Sequence, residues 1–415
     1  MQDGCNANLL RERDRGSESM RLKLRLLLVS IVPPRNDCGV RIVLHRHLVE
    51  RNQFDLHVAS NADFADGLLI HTQLRLPRPI YRLRKSRFGP RLATWITDYE
   101  NLIWPLTANR ALEDAVQHFK PHIILTLAEC GLCHTAQKTA QRHRLPLAGL
   151  FLDWFPMMRG HYGHKSTQTF LSRRYRELYA GCDLAFCTSD GMQEMLGPHP
   201  NSHVIYPMPG THRMSEKSRT PLNGKFRLVY VGSVEDVHGR MLCSLIEKIE
   251  ATSDLEIIVV GPNADWPKPL LERALTKGIY LGFMPPEGAA KVLATADALL
   301  VVMSFERKYE LFTRTSFTTK FLDYVAFGKP VILWGPEYCT SVRVARKHGG
   351  AMVVNENDPK AIVKTCRQLA GDAARREQLS QEANRLHQTL FNPERLQKTF
   401  VGEIEKIAGR RRGPS

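Results

Sequence analysis

With 415 residues, 43% of them apolar and 24% charged, the chain has the make-up of a folded globular protein, which excludes a mainly disordered or fibrous one. The length allows two or three domains of roughly 100 to 200 residues each. Lys and Arg number 58 against 42 Asp and Glu, a net charge of +16 spread over both halves; no nucleic-acid motif accompanies it, so no nucleic-acid partner is expected.

The first 19 residues are polar and charged without an apolar core, and read as a disordered extension ahead of Met20, not as a secretory signal. No run of 18 apolar residues occurs, so no segment is expected to span a bilayer. Leu22 to Val32 reads as a buried strand, Pro33 to Gly39 as a turn, Val40 to Glu50 as a helix and Asp55 to Ala59 as a strand. This is a βαβ unit whose first turn sits at the carboxyl end of a strand, where open α/β sheets place their ligands. Arg75, Arg78, Arg82, Arg84, Lys85, Arg87 and Arg91 then follow without an intervening acid, mixed with Ile80, Tyr81, Leu83 and Phe88. Such a stretch suits either a solvated loop or peripheral docking on an anionic membrane surface.

A helix is expected from Ala108 to Phe119 and a strand from His122 to Leu127. Cys130-Gly-Leu-Cys133-His134 has the spacing of a c-type haem attachment site, but the nine cysteines form no framework and suit a reducing cytosol, so the match is expected to be coincidence. After a helix from His134 to His143, the strand Leu147 to Leu152 ends on Asp153-Trp154. Asp153 is thereby placed to face a cleft. His161 and His164, in the Gly- and His-rich loop Met158 to His164, are candidates beside it, either of them able to hydrogen-bond a ligand or act as a base. A helix from Arg173 to Ala180, a strand from Leu184 to Cys187, a helix capped by the Ser189 hydroxyl and a strand from Val204 to Tyr206 complete the first half. Pro207, Pro209, Gly210, Pro221 and Gly224 mark a linker, which divides the chain into domains at 20–207 and 225–390, a linker at 208–224 and a crossing helix with a basic tail at 391–415.

Beyond the linker the pattern restarts, with strands at Phe226 to Val231, Leu255 to Val260, Ile279 to Leu281, Ala298 to Val302, Val331 to Trp334 and Ala351 to Val354. Strands alternating with helices predict parallel sheets with right-handed crossovers, hence an α/β protein of two doubly wound, Rossmann-like domains facing a cleft. The stretch from Ser316 to Gly335 concentrates the chemistry: a hydroxyl-rich loop meets a helix start, Lys320 and Asp323 lie three apart on one face, and Gly328-Lys329-Pro330 stops the helix before an apolar strand. A Lys beside free backbone amides suits a phosphate, and a carboxylate one turn on suits sugar hydroxyls.

Ser316 to Val331, with its Ser-x-x-Thr-Lys, Asp-Tyr and Gly-Lys-Pro-Val elements, resembles the nucleotide-sugar segment of GT-B glycosyltransferases of family 4, the group 1 family. Tyr230-Val231-Gly232-Ser233, Ile258 to Gly261, Leu281-Gly282-Phe283 and Ala296-Asp297-Ala298 match further family segments in order. The resemblance implies a terminal helix, Pro393 to Ile407, crossing back onto the first domain. It also implies transfer of a sugar from a nucleotide sugar, UDP- or GDP-linked, to a glycan or lipid-linked acceptor hydroxyl with retention, without a catalytic metal or a cofactor, on the cytoplasmic side of a membrane.

By the same resemblance, Gly232, Ser233, His238 and Gly261 lie under the diphosphate, Phe283 and Met284 by the base, and Ser316, Thr319 and Lys320 around the leaving group, with Asp323 on the ribose. The family's usual Arg and Lys near the first Gly turn are Ser233 and His238 here, and its first Glu falls on Thr315. Arg307, Lys308 and Arg314, in a long loop from Ser304 to Thr315 expected to act as a lid, are candidate replacement cations, and Glu306 or Glu310 the replacement acid. A nucleotide-sugar epimerase and a GT-B pair that binds without catalysis remain the competing readings.

Overall fold

The computed structural model describes residues 23–37, 39–62, 69–107, 109–129, 131–157, 163–210 and 224–410. The expected N-terminal extension, most of the linker, the basic tail, Cys130 and His161 lie outside these residues.

Apolar runs of five to seven residues bounded by polar turns give the first half its strands: β1 (Leu24–Ser30), β2 (Phe54–Ser60), β3 (Ile70–Gln73), β4 (Ile123–Leu127), β5 (Leu147–Phe151), β6 (Leu184–Cys187) and β7 (Ser202–Val204). They form one parallel sheet in the order β3-β2-β1-β4-β5-β6-β7. β4 and β5 are buried at every position, as strands covered by helices on both faces must be. The helices are α1 (Gly39–Leu48), α2 (Arg78–Lys85), α3 (Ala93–Asp98), α4 (Arg110–Phe119), α5 (Leu132–His143), α6 (Lys165–Ala180) and α7 (Asp190–Leu196). The Ser189 hydroxyl caps α7 by accepting from the Met192 amide at 3.0 Å, as its position predicts.

The second half holds β8 (Phe226–Val231), α8 (Asp236–Glu250), β9 (Leu255–Val260), α9 (Lys268–Thr276), α10 (Pro286–Ala294), β10 (Ala298–Val302), α11 (Glu310–Thr315), α12 (Thr319–Val325), β11 (Val331–Trp334), α13 (Thr340–His348) and β12 (Met352–Val354), followed by α14 (Pro359–Gly371), α15 (Ala373–Gln388) and α16 (Pro393–Arg410). Its five strands are also parallel, in the order β12-β11-β10-β8-β9. β8 through β11 occupy the residues their apolar runs predict. Ile279 to Leu281 does not form a strand; it contributes a single bridge, Tyr280 to Val259, because Gly278 and Gly282 bracket it at φ of 67° and 70° and turn the chain away. The basic stretch is not a loop: α2 occupies it, and none of its side chains is buried.

One apolar cluster joins the two halves. Tyr206 packs edge-on to Phe317, with centroids 4.8 Å apart, and both contact Phe391. The terminal helix α16 crosses back to the first half, where Phe400 stacks against His47 at 4.6 Å and Phe186 at 4.9 Å. Gln397 donates to the His47 carbonyl at 2.9 Å and to Gln53 at 2.7 Å, and its own carbonyl meets His47 Nδ1 at 2.9 Å. With its amide satisfied on every side, Gln397 fixes the register of α16 on α1.

Candidate active site between the two sheets

Each sheet reverses its strand order once, between β1 and β4 and between β8 and β10, and the crevice outside the carboxyl ends at such a reversal is where doubly wound folds bind ligands. A cavity of about 600 Å³ opens there. Ser233, Asp236 and His238 line it from the turn after β8 and the start of α8, Met303 and Ser304 from the end of β10, and Trp154, Met157 and Gln168 from the first half. A larger hollow of about 1010 Å³ lies at the opposite, amino-terminal edge of the first sheet, beside Lys23, Phe54 and His122. The ligand rule for open sheets favours the first.

The turn at Gly232 leads directly into Ser233 of the cavity wall. A Cβ on Gly232 would overlap Lys320 Cε and stand 2.8 Å from Nζ, so the Lys320 side chain passes directly over this turn. Its ammonium lies 5.6 Å from the Tyr230 ring centroid. Tyr324 holds the turn from below, donating to the Val231 carbonyl at 3.1 Å and accepting from the Val231 amide at 2.8 Å. Tyr230 donates to the Ser233 carbonyl at 2.6 Å. A Cβ on Gly261 would strike the Gly232 carbonyl, so both glycines are required for this close approach.

Burial pulls the Lys320 ammonium down to about 8, with the Asp323 carboxylate acting the other way. His238 is pulled to about 3, first by burial and then by the Lys320 charge, so it is neutral at pH 7 and does not replace the missing cation. Lys308 lines the cavity and pairs with Glu306 at 3.0 Å. Arg314 and Glu310 pair with each other at 3.0 Å, and Arg314 stacks over Tyr338 at 4.9 Å; neither is among the cavity residues.

The segment Ser304 to Thr315 is not a loose lid. It folds into a 3-10 turn at Arg307–Tyr309 and α11, tied down by Arg240 on Glu306 at 2.5 Å, Tyr309 on Asp236, and Thr340 on the Arg314 carbonyl at 2.5 Å.

Ser316 and Asp323 both reach across the cleft. Ser316 Oγ donates to Asp153 Oδ1 at 2.5 Å, and burial raises the Asp153 carboxyl while that hydrogen bond lowers it. Asp323 Oδ1 accepts from Arg46 Nη1 of α1 at 3.3 Å and from the Gly210 amide at 2.8 Å. Thr319 opens α12, only seven residues long. Phe283 is 72% exposed and free to stack on a planar ring, with Met284 beside it and partly buried. Cys133 and His134 are both buried in α5, and burial pushes the Cys133 thiol up to about 12; the CxxCH spacing is packing.

Two acids beyond those predicted join the site. Glu129 follows β4 as Asp153 follows β5, and burial together with the Asp153 charge raises it to about 7. The same strand-end logic that selects Asp153 selects Glu129. Asp98 ends α3 and binds the loop before α6. Among the described residues, no group of three or more His, Cys, Asp or Glu is arranged to hold a metal ion.

Residues 225–372 match the family model described as Glycosyl transferases group 1, which bears out over that segment the resemblance read from Ser316 to Val331. Solved structures share the two-sheet GT-B architecture across nearly the whole chain. HepE from Anabaena, in complex with UDP and glucose, superposes with a TM-score of 0.64 at 12% identity, covering 92% of this chain and 99% of that one. Sucrose-phosphate synthase from Thermosynechococcus elongatus gives 0.63 at 13% identity, covering 94% and 100%. A glycosyltransferase from Rickettsia africae gives 0.65 at 11% identity, covering 92% and 98%. No curated protein matches the chain in sequence.

Proposed function

We propose that this protein is a retaining glycosyltransferase, moving a sugar from a nucleotide sugar to an acceptor hydroxyl. The observation that carries the reading is Lys320 laid over the Gly232 turn at the carboxyl end of β8, next to Ser233 of the cavity wall, within the segment that matches group 1 glycosyltransferases. Negative charge grows on the leaving diphosphate as the glycosidic bond breaks. Fixed donors at that point contribute about a hundredfold or more each to the rate. Lys320 and Lys308 supply the charge without recourse to a metal, and the amides of Ser233 to Glu235 ahead of α8 supply neutral donors. The exposed Phe283 ring takes the base, and the UDP bound to HepE makes uridine the first base to try.

The acceptor is a glycan or lipid-linked hydroxyl entering from the first half. α2 presents Arg78, Arg82, Arg84 and Lys85 with Tyr81 exposed, and Phe88 and Trp95 continue the exposed aromatic surface. That surface suits peripheral contact with anionic lipid on the cytoplasmic face of a membrane. Among the described residues no helix is long and apolar enough to cross one.

A second reading, binding without turnover, is favoured by one feature: Arg314 is spent on Glu310 and His238 is neutral, so the diphosphate has fewer cations than the family pattern supplies. Incubation with UDP-, GDP- and ADP-linked hexoses and a lipid acceptor, reading nucleoside diphosphate release and the anomeric configuration of the product, separates the two. Release with a retained configuration supports the transferase; binding without release supports the second reading.

A further inference from the structure

The cavity between the sheets has two unlike walls. Its charged and titratable lining side chains, Glu235, Asp236, His238, Lys308 and Tyr309, all belong to the second half. Several are tied into one network: Tyr309 donates to Asp236, and Lys308 pairs with Glu306 at 3.0 Å. Among the described residues, the first half contributes Trp154, Met157 and Gln168, with no carboxylate and no cation. Leu311 of α11 lines the same cavity and packs against the first-half core to which Trp154 belongs, so it extends the apolar wall from the other side of the cleft. Gln168, the polar member of this wall, donates from its amide to Met157 Sδ at 3.0 Å. The neighbouring carboxylate, Asp153, is not a lining residue and accepts from Ser316 Oγ at 2.5 Å.

A sugar laid on this wall would bring several hydroxyls, and each one buried without a partner is costly. Nor does Trp154 offer an open ring face to stack on, being 2% exposed with the Arg176 guanidinium over its ring at 5.1 Å. An alkyl or aryl skeleton instead buries its surface against Met157 and Leu311 and leaves no polar group unpaired. We infer that the acceptor is an alcohol whose hydroxyl is carried directly on an apolar skeleton, not a hydroxyl of a glycan. This rests on the glycosyl-transfer reading above and narrows its acceptor. In the transfer, the acceptor oxygen bonds to the anomeric carbon, and the bond from that carbon to the diphosphate oxygen breaks. The electron pair leaves with the nucleoside diphosphate, and the hydroxyl proton ends in solvent.

Transfer from UDP-, GDP- and ADP-glucose is measured to 2-naphthylmethanol and geraniol, which carry the hydroxyl on an aromatic ring system and on an isoprenoid chain. The comparison acceptors are maltose and octyl glucoside, whose apolar tail is joined to a sugar that holds every hydroxyl. The inference predicts that kcat/KM for the better apolar alcohol exceeds that for either sugar by about a hundredfold or more. M157Q places an amide on the apolar wall at a position 42% exposed, where folding is not at stake. It should raise KM for the apolar alcohol about tenfold and hold kcat within about threefold, and L311N should act in the same direction. Transfer to neither apolar alcohol, a sugar acceptor used as well as both of them, or an unchanged KM in M157Q and L311N overturns the inference and leaves the transferase reading standing. A wild-type protein that releases no nucleoside diphosphate from any of the three donors overturns both.

Discussion

Ser316 Oγ and Asp153 Oδ1, 2.5 Å apart, join the loop before α12 in one half to the end of β5 in the other. The cleft is therefore closed by a hydrogen bond between two residues that sequence position assigns separately to donor and acceptor. Removing the hydroxyl leaves a buried carboxylate without its donor, which costs about 1 to 3 kcal/mol. In a double-mutant cycle of S316A and D153N, read by urea unfolding, the two changes should couple by about 1 kcal/mol or more. Additive effects would mean that the bond contributes nothing to closure.

Gly232→Ala should abolish donor binding while the protein still folds. Its φ of 149° already disfavours a side chain, and the new methyl would occupy the path of Lys320. The flexible end of Lys320 yields more readily than the backbone. Nucleotide titration of G232A by calorimetry should show at least a tenfold weaker affinity, about 1.4 kcal/mol.

The Lys320 ammonium sits at about 8. Its charge is complete at pH 6 and fades as the pH rises through 8. Nucleotide affinity should therefore be flat from pH 6 to 7 and weaken above 8, and K320A should lack that decline. An affinity that holds to pH 10 in wild type would show that another cation holds the diphosphate.

Much of this was legible in the sequence where the signal is local. The apolar runs bounding β8 to β11, the Ser189 cap and the Gly328 stop are each settled within a few residues, and the structure places them as read. Partnerships across the chain were not legible. Nothing near Asp323 indicates that Arg46, in the other half, will take its Oδ1. α2 escaped because its basic run, with Pro77 and Pro79 at its start, reads as a loop and only Ile80 and Leu83, three apart on one face, are partly buried. The Arg314–Glu310 pair, by contrast, is local: an i,i+4 spacing in α11 brings the two charges together.

His47 gives the fold an acid limit. Burial against Phe400 and Gln397 lowers it from 6.5 to about 4, so below 6.5 the unfolded chain takes up the proton first. The stability that this site contributes is whole above pH 6.5 and is lost as the pH falls toward 4. The loss is on the order of 3 kcal/mol. H47Q should be less stable than wild type at pH 7.5, and the gap between their melting temperatures should narrow by pH 4.5. A gap that is constant with pH would contradict the neutral, buried state of this ring.

The central claim is that Lys320 over the Gly232 turn receives the diphosphate of a nucleotide sugar. The measurement that meets it most directly is a thermal-shift panel of wild type and K320A with UDP, GDP, ADP and their sugars, without added metal. A ligand at a hundred times its dissociation constant stabilises the native state by about 2.7 kcal/mol. The account predicts that one nucleotide and its sugars shift the wild type and leave K320A unmoved. Equal shifts in both proteins, or none in the wild type, would contradict it.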